Sequence, residues 1–142
     1  MIEVNYIAVL VAAVIAYIIG ALWFSPLLFG KQWMKLTGKS QSDMEAAKKK
    51  GMGKTYFSHF LTTLLMSYVL FHFIAGWYFS QSALTGTAVG LQTAFWLWLG
   101  LLATTQLSPV FWNGKPLKLY WIETSYNLVG LLLMGLIIGM WL

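Results

Sequence analysis

From Tyr6 to Phe24 the chain reads YIAVLVAAVIAYIIGALWF, nineteen residues without a charged side chain. An α-helix needs about 20 apolar residues to cross the hydrocarbon core of a bilayer. Because lipid cannot solvate unpaired backbone groups, such a run must be helical inside a membrane. Ser25-Pro26 follows the run, and proline disfavours helix in the residue before it. The run predicts a transmembrane helix over residues 6–24.

The residues before this run bear on whether it is a signal peptide. Met1-Ile2-Glu3-Val4-Asn5 carry no positive side chain. A signal peptide opens with a basic region and has an apolar core of about 7–15 residues. We therefore expect that this segment is not a cleaved signal peptide but a transmembrane helix that stays in the mature protein.

Three further apolar runs follow, over about residues 56–79, 84–107 and 117–142. The third is expected to end before Ser108-Pro109, and the fourth to begin after Gly114-Lys115-Pro116. The chain is 59% hydrophobic and 9% charged, whereas soluble domains average about 25% charged residues. The expected fold is all-α: one polytopic transmembrane domain of four helices, with a connection over residues 25–55.

The lysines predict the orientation of the spans. Seven of the nine lie between Lys31 and Lys54, and the others are Lys115 and Lys118. The connection between the second and third spans, residues 80–83, is uncharged. By the positive-inside rule we expect both lysine-bearing connections to be cytoplasmic and both termini to lie outside. The positive charge of the two lysine-bearing connections is better matched to the headgroups of anionic lipids than to nucleic acid.

The connection over residues 25–55 has helical patterns of its own. Phe29, Trp33 and Leu36 recur at helical spacing, which predicts a short interfacial helix over residues 26–36. Ser42-Asp43-Met44-Glu45 matches a capping box and Gly51 a stop, which predicts a helix over about residues 43–50. Candidate contacts for anionic lipid, or more simply topology anchors, are Lys31, Lys35, Lys48, Lys49 and Lys50.

Small residues mark close helix packing in membranes. Gly86 and Gly90 form a GxxxG pattern in the third span, and Gly135 and Gly139 form another in the fourth. These patterns fit packing within one chain and packing between identical chains equally well. The Gly135/Gly139 face points more than about 100° from Glu123, so we expect it to serve a separate contact.

Glu123 is the one acidic residue inside a predicted span. At about 9 Å depth, its carboxylate is costly unless it is protonated, paired or hydrated. Tyr120 and Asn127 share its helical face, and His59 lies at a similar depth in the second span. We expect these four residues to form a polar intramembrane cluster with a Glu123–His59 hydrogen bond. That pair would either relay protons or simply lock two helices together, and we favour the second interpretation.

His72 invites a haem hypothesis, since two histidines on one helix can ligate haem. It lies thirteen residues after His59, which directs the two rings about 140° apart and disfavours the idea. A zinc site would need ligands from several helices and is no better supported. The chain has no cysteine and no nucleotide-binding, serine-nucleophile or metalloprotease motif. We expect no cofactor, no bound metal and no enzymatic activity.

Two stretches resemble a known family. The residues Trp23-Phe24-Ser25-Pro26-Leu27-Leu28-Phe29-Gly30-Lys31-Gln32-Trp33-Met34 resemble the end of the first helix in a widespread bacterial membrane family, the domain of unknown function numbered 1761. Residues 114–122 and 126–141 are similar to that family's last helix. The resemblance extends over essentially the whole chain and implies a short four-span bacterial protein of unknown activity, which we expect in the inner membrane. The resemblance implies no catalytic residues. The choice of Glu123 as a candidate site residue therefore depends on the physical argument alone.

Two functions fit these observations. The first is a non-enzymatic membrane protein that works as a homo-oligomer or as an accessory subunit of a larger membrane complex. The alternative is a small proton-coupled transporter or channel that uses the cluster around Glu123. Apart from the bilayer, the expected partners are copies of the chain or other membrane subunits. We do not expect the protein to bind nucleic acid.

Overall fold

The computed structural model describes residues 2–80 and 83–142, and their regular structure is helical. In chain order the helices are α1 (Tyr6–Trp23), α2 (Gly30–Thr37), α3 (Gln41–Lys50), α4 (Gly53–Ser80), α5 (Gly86–Leu97), a π-helical segment (Trp98–Ala103), α6 (Thr104–Trp112) and α7 (Leu117–Met140). Met1 and two residues of the uncharged connection, Gln81 and Ser82, lie outside the described residues.

Four helical units are long and apolar enough to cross a membrane, which confirms the all-α polytopic prediction. They are α1, α4, the continuous stretch Gly86–Trp112 and α7. Trp23 at the end of α1 donates through Nε1 to the carbonyl oxygen of Ile122 near the start of α7, at 3.0 Å. This bond brings the connection after α1 and the connection before α7 to the same end of the bundle. We call that end, formed by residues 24–54 and 113–118, the lysine-rich end.

The third span continues past its predicted end at Ser108-Pro109. Pro109 lies inside α6, which extends to Trp112. The preceding turns are π-helical, and the Thr104 hydroxyl donates to the Gly100 carbonyl at 2.7 Å. Proline is tolerated inside membrane helices, and beyond it the Asn113 amide still donates to the Pro109 carbonyl oxygen at 2.9 Å. The prediction that the third span ends before Ser108-Pro109 is therefore wrong.

The two GxxxG patterns pack against each other within one chain. A methyl group at Gly139 would lie 2.7 Å from the carbonyl carbon of Gly86. One at Gly135 would lie 2.9 Å from the carbonyl carbon of Gly90. The backbones of α5 and α7 thus touch at two levels, which only glycine allows. Of the two alternatives that the sequence left open, packing within one chain is the one observed, because α5 occupies the Gly135/Gly139 face.

The rest of the core joins α1 to α4 and α7. Five of the six buried residues of α1 are alanine or glycine, among them Ala12 and Ala16. Ser67 of α4 is fully buried against this face and donates through Oγ to the Val9 carbonyl oxygen at 2.8 Å. Small side chains let the helices approach closely, and the hydroxyl finds a backbone acceptor across the interface.

The connection after α1 folds into two short helices, as its patterns predict, with shifted boundaries. The helix predicted over residues 26–36 is α2, which ends at Gly38 with φ +74°. The capping box of α3 uses Ser40 and Asp43, not Ser42. The Ser40 hydroxyl accepts from the Asp43 amide at 3.1 Å, and the Asp43 carboxylate accepts from the Ser40 amide at 2.9 Å. The box therefore begins two residues earlier than the sequence suggested, and α3 ends at Gly51 as predicted.

Candidate functional site

A cavity of about 690 Å³ opens at the lysine-rich end, between α1, α2, α3 and the start of α4. We call it the main cavity. Its apolar wall includes Ala21 of α1, Trp33 and Met34 of α2, Met44 of α3 and Met52. Methionine is flexible and polarisable, so such a wall adapts to ligands of different shape. Its volume lies within the range of about 300–1,000 Å³ that is typical of small-molecule sites.

The geometry of α2 follows from the turn that precedes it. Gly30 begins α2 so close to the preceding turn that a methyl group there would lie 2.7 Å from the Ser25 carbonyl carbon. Trp33 packs edge-on against Phe24 of that turn, with ring centroids 6.0 Å apart. The Lys39 ammonium lies 5.0 Å from the Trp33 ring centroid. These contacts hold the indole in the wall of the main cavity.

Six of the described residues that line the main cavity have polar side chains: Tyr17, Ser25, Gln41, Lys48, Tyr56 and His59. Lys48 of α3 and His59 of α4 line it, and so does Tyr17 of α1. The Tyr17 hydroxyl donates to the Tyr56 carbonyl oxygen at 3.2 Å, and its ring centroid lies 5.5 Å from that of His59. None of the described lining residues is an aspartate or a glutamate. The formal charge around the cavity is therefore positive.

His59 also lines a second, smaller cavity of about 80 Å³, deeper in the bundle. Asn127, Thr63 and Gly130 line the same space. The Thr63 hydroxyl donates to the His59 carbonyl oxygen at 2.9 Å. At about 30 Å³ per molecule in the liquid, this small cavity has room for a few waters. Two members of the predicted polar cluster, His59 and Asn127, thus face one space.

The other two members of the cluster have different partners. The Glu123 carboxylate pairs with the Lys115 ammonium, and the two side chains are 28% and 20% exposed. The Tyr120 hydroxyl donates to the Ala103 carbonyl oxygen at 3.0 Å. Asn127 donates to the backbone carbonyl of Glu123 at 3.1 Å and not to its carboxylate. The expected Glu123–His59 hydrogen bond is not formed: the Glu123 carboxylate pairs with Lys115, and the His59 ring lies beside Tyr17.

The five lysines that are candidates for lipid contact are exposed and differ in position. Lys48 lines the main cavity, whereas Lys31, Lys35, Lys49 and Lys50 are not among its described lining residues. Contact with anionic lipid stays a prediction for all five. No three histidine or acidic side chains of residues 2–80 and 83–142 come together as a metal-ligand set.

A family model described as "Protein of unknown function (DUF1761)" matches residues 7–139. The chain belongs to this family. The resemblance seen in the sequence is thereby confirmed over nearly the whole length. Neither the curated proteins nor the solved structures contain a match to the chain. The DUF1761 match runs from α1 almost to the end of α7, so the glycine contact and both cavities lie inside the family domain.

The main cavity of this DUF1761 protein was missed by sequence reasoning. Trp33 was predicted only as part of the apolar face of the interfacial helix, and Met44 only as part of the capping box. One signal was present: Met44 and Lys48 are four residues apart and share a face of α3. An apolar and a basic side chain on one face suit an amphipathic neighbour, but the sequence does not say that α1 and α4 lie opposite.

Proposed function

We propose that this protein binds an amphipathic small molecule in the main cavity and is not an enzyme. One observation carries the proposal: an adaptable, mainly apolar space of about 690 Å³ with a few polar groups at the end of a membrane bundle. Sites for small molecules combine these features. Support for a non-enzymatic role comes from the same lining, whose described residues include no carboxylate that could orient His59 as a general base.

We further propose that the protein lies in a bacterial inner membrane with its lysine-rich end in the cytoplasm. The lysine distribution supports this orientation. In this setting the main cavity opens at the level of the inner-leaflet headgroups. Its occupant can then enter sideways from the leaflet, since α3 has no buried residue and forms only a thin outer wall.

The protein would act as a subunit of a larger assembly or as a homo-oligomer. The glycine faces no longer support this idea, because they are used within the chain. His72 does support it: the imidazole is exposed on the outer face of α4, beside Tyr68 at a centroid distance of 4.7 Å. Ionisable groups at membrane depth usually face protein or water, so a protein partner over this face would satisfy His72.

The test uses native mass spectrometry of protein purified gently from its own membranes. Ala21→Phe fills the main cavity from an exposed position on α1, whereas Val14→Phe adds the same ring to an exposed position outside the lining. The wild type and Val14→Phe should each retain one amphiphile per chain, and Ala21→Phe should lose it. If the two variants retained the amphiphile equally, the proposal would be refuted.

A second candidate is the proton-coupled transporter, which one observation favours. His59 lines both the main cavity and the small cavity that contains Asn127. A titratable side chain between two cavities can couple proton movement to a ligand. In reconstituted vesicles with a pH gradient, His59→Gln should then abolish a flux that Glu123→Gln only weakens. Absence of flux from the wild type, or an unchanged flux in His59→Gln, argues against this candidate.

A further inference from the structure

We infer that the main cavity selects amphiphiles with an anionic headgroup, and that Lys48 holds the anion. The inference rests on the proposed ligand-binding function and names the chemistry of the ligand. Its starting point is the charge of the lining, which contains the Lys48 ammonium and no described carboxylate. A ligand with a negative head and an apolar body matches both the charge and the apolar wall.

Lys48 is available for this role because the acids of α3 are engaged or apart from it. Asp43 is held in the capping box, where its carboxylate accepts from the Ser40 amide. Within residues 2–80 and 83–142, the ion pair that the structure contains joins Lys115 to Glu123, so Lys48 has no carboxylate within salt-bridge distance there. An ammonium that faces a cavity without a protein counter-charge is a natural partner for a ligand anion.

Lys48 on α3 adjoins the apolar wall of the cavity. Met44 lies one turn earlier on the same face, and Trp33 and Met34 continue the apolar wall along α2. Lysine can lay its aliphatic stem along such a surface and present the ammonium at its edge. The headgroup would therefore contact α3, and the apolar body would extend along α2 toward α1.

Lys49 is a matched control for this assignment. It neighbours Lys48 on the same helix, is equally basic and exposed, and is not among the described lining residues. General attraction of a basic surface to anionic lipid would use both lysines alike. A headgroup held inside the cavity would depend on Lys48 alone.

The experiment titrates the full-length protein in neutral detergent with short-chain phosphatidylglycerol and, separately, with phosphatidylcholine of the same chain length. Bound lipid is counted by native mass spectrometry. The wild type should prefer phosphatidylglycerol, and Lys48→Gln should weaken that preference about tenfold, as loss of a charge-assisted hydrogen bond does. Lys49→Gln should change it less than about twofold.

The remaining outcomes separate this inference from the function on which it rests. If the wild type bound both lipids equally and Ala21→Phe abolished both, the ligand site would stand and anion selectivity would be wrong. Equal loss in Lys48→Gln and Lys49→Gln would replace the cavity anion site by surface attraction and overturn the inference. Displacement of phosphatidylglycerol by an equal concentration of inorganic phosphate would assign the site to a free anion and overturn it too. Binding of both lipids unaffected by Ala21→Phe would remove the ligand site itself.

Discussion

The glycine contact between α5 and α7 predicts the effect of one methyl group. In Gly135→Ala the new carbon would lie 2.9 Å from both the Ala94 methyl carbon and the Gly90 carbonyl carbon. Carbon atoms pack at about 3.5–4.0 Å. The two helices must therefore move apart by about 0.6–1 Å, and a gap of that size forfeits about a quarter to a half of the attraction between atoms across it.

The cost can be worked out by comparison with Gly130 on the same helix. Gly130 is buried, yet nothing lies within 4 Å of a methyl group placed there. Both substitutions gain about 1 kcal/mol of helix propensity, so this term cancels between them. Overpacking at Gly135 costs about 1–3 kcal/mol. Gly135→Ala should therefore unfold with a free energy about 1–3 kcal/mol below that of Gly130→Ala.

The assay is reversible unfolding in mixed micelles with increasing sodium dodecyl sulfate, followed by far-ultraviolet circular dichroism. Wild type, Gly135→Ala and Gly130→Ala are compared at the same protein and lipid concentrations. Gly130→Ala should match or exceed the wild type. If Gly135→Ala proved as stable as Gly130→Ala, the close backbone contact of α5 with α7 would not exist, and the packing argument would fail with it.

Three further predictions concern the capping box and the Lys115–Glu123 ion pair. Ser40→Ala should weaken α3 by roughly 1 kcal/mol and speed its amide hydrogen exchange, whereas Ser42→Ala should do so by only a few tenths; equal effects would contradict the cap at Ser40. The hydrogen bonds from Ser40 hold the pKa of Asp43 below its ordinary value of 3.8, so their stabilisation is present at neutral pH and is lost as the pH falls through the lowered pKa. A carbon-detected titration that placed Asp43 at or above 3.8 would count against this. A double-mutant cycle of Lys115→Met and Glu123→Gln should give a coupling of about 0.5–3 kcal/mol, and strict additivity would mean that the pair does not contribute.

Short sequence patterns predicted much of the fold, because the start and the end of a helix depend mainly on residues that are neighbours in the chain. The start of α7 after Pro116 and the end of α3 at Gly51 both occur where proline and glycine indicated them. Pro109 was the exception, since the helix continues through it to Trp112. A breaker residue shows where a helix loses a hydrogen bond, and the neighbours determine whether the helix then ends.

The candidate site was predicted less well, for a physical reason. Glu123, His59, Asn127 and Tyr120 were grouped by depth and helical face. The depth of a residue in the membrane follows from counting residues along its helix. Its hydrogen-bond partner depends instead on how each helix is rotated and on which side chains then lie within reach. Lys115, in the turn before α7, pairs with the Glu123 carboxylate eight residues later in the chain. His59 and Asn127 instead came to line one small cavity.

The sequence by itself determined that four apolar runs are helices, because a bilayer leaves the backbone no other way to satisfy its hydrogen bonds. It also determined the family and the helical character of the connection after the first span. Only the tertiary structure decided that Gly86 and Gly90 meet Gly139 and Gly135 within one chain, and that α1, α2, α3 and α4 enclose the main cavity. Runs and caps are set by neighbours along the chain, whereas these contacts join residues tens of positions apart. Such contacts depend on the packing of all the helices together.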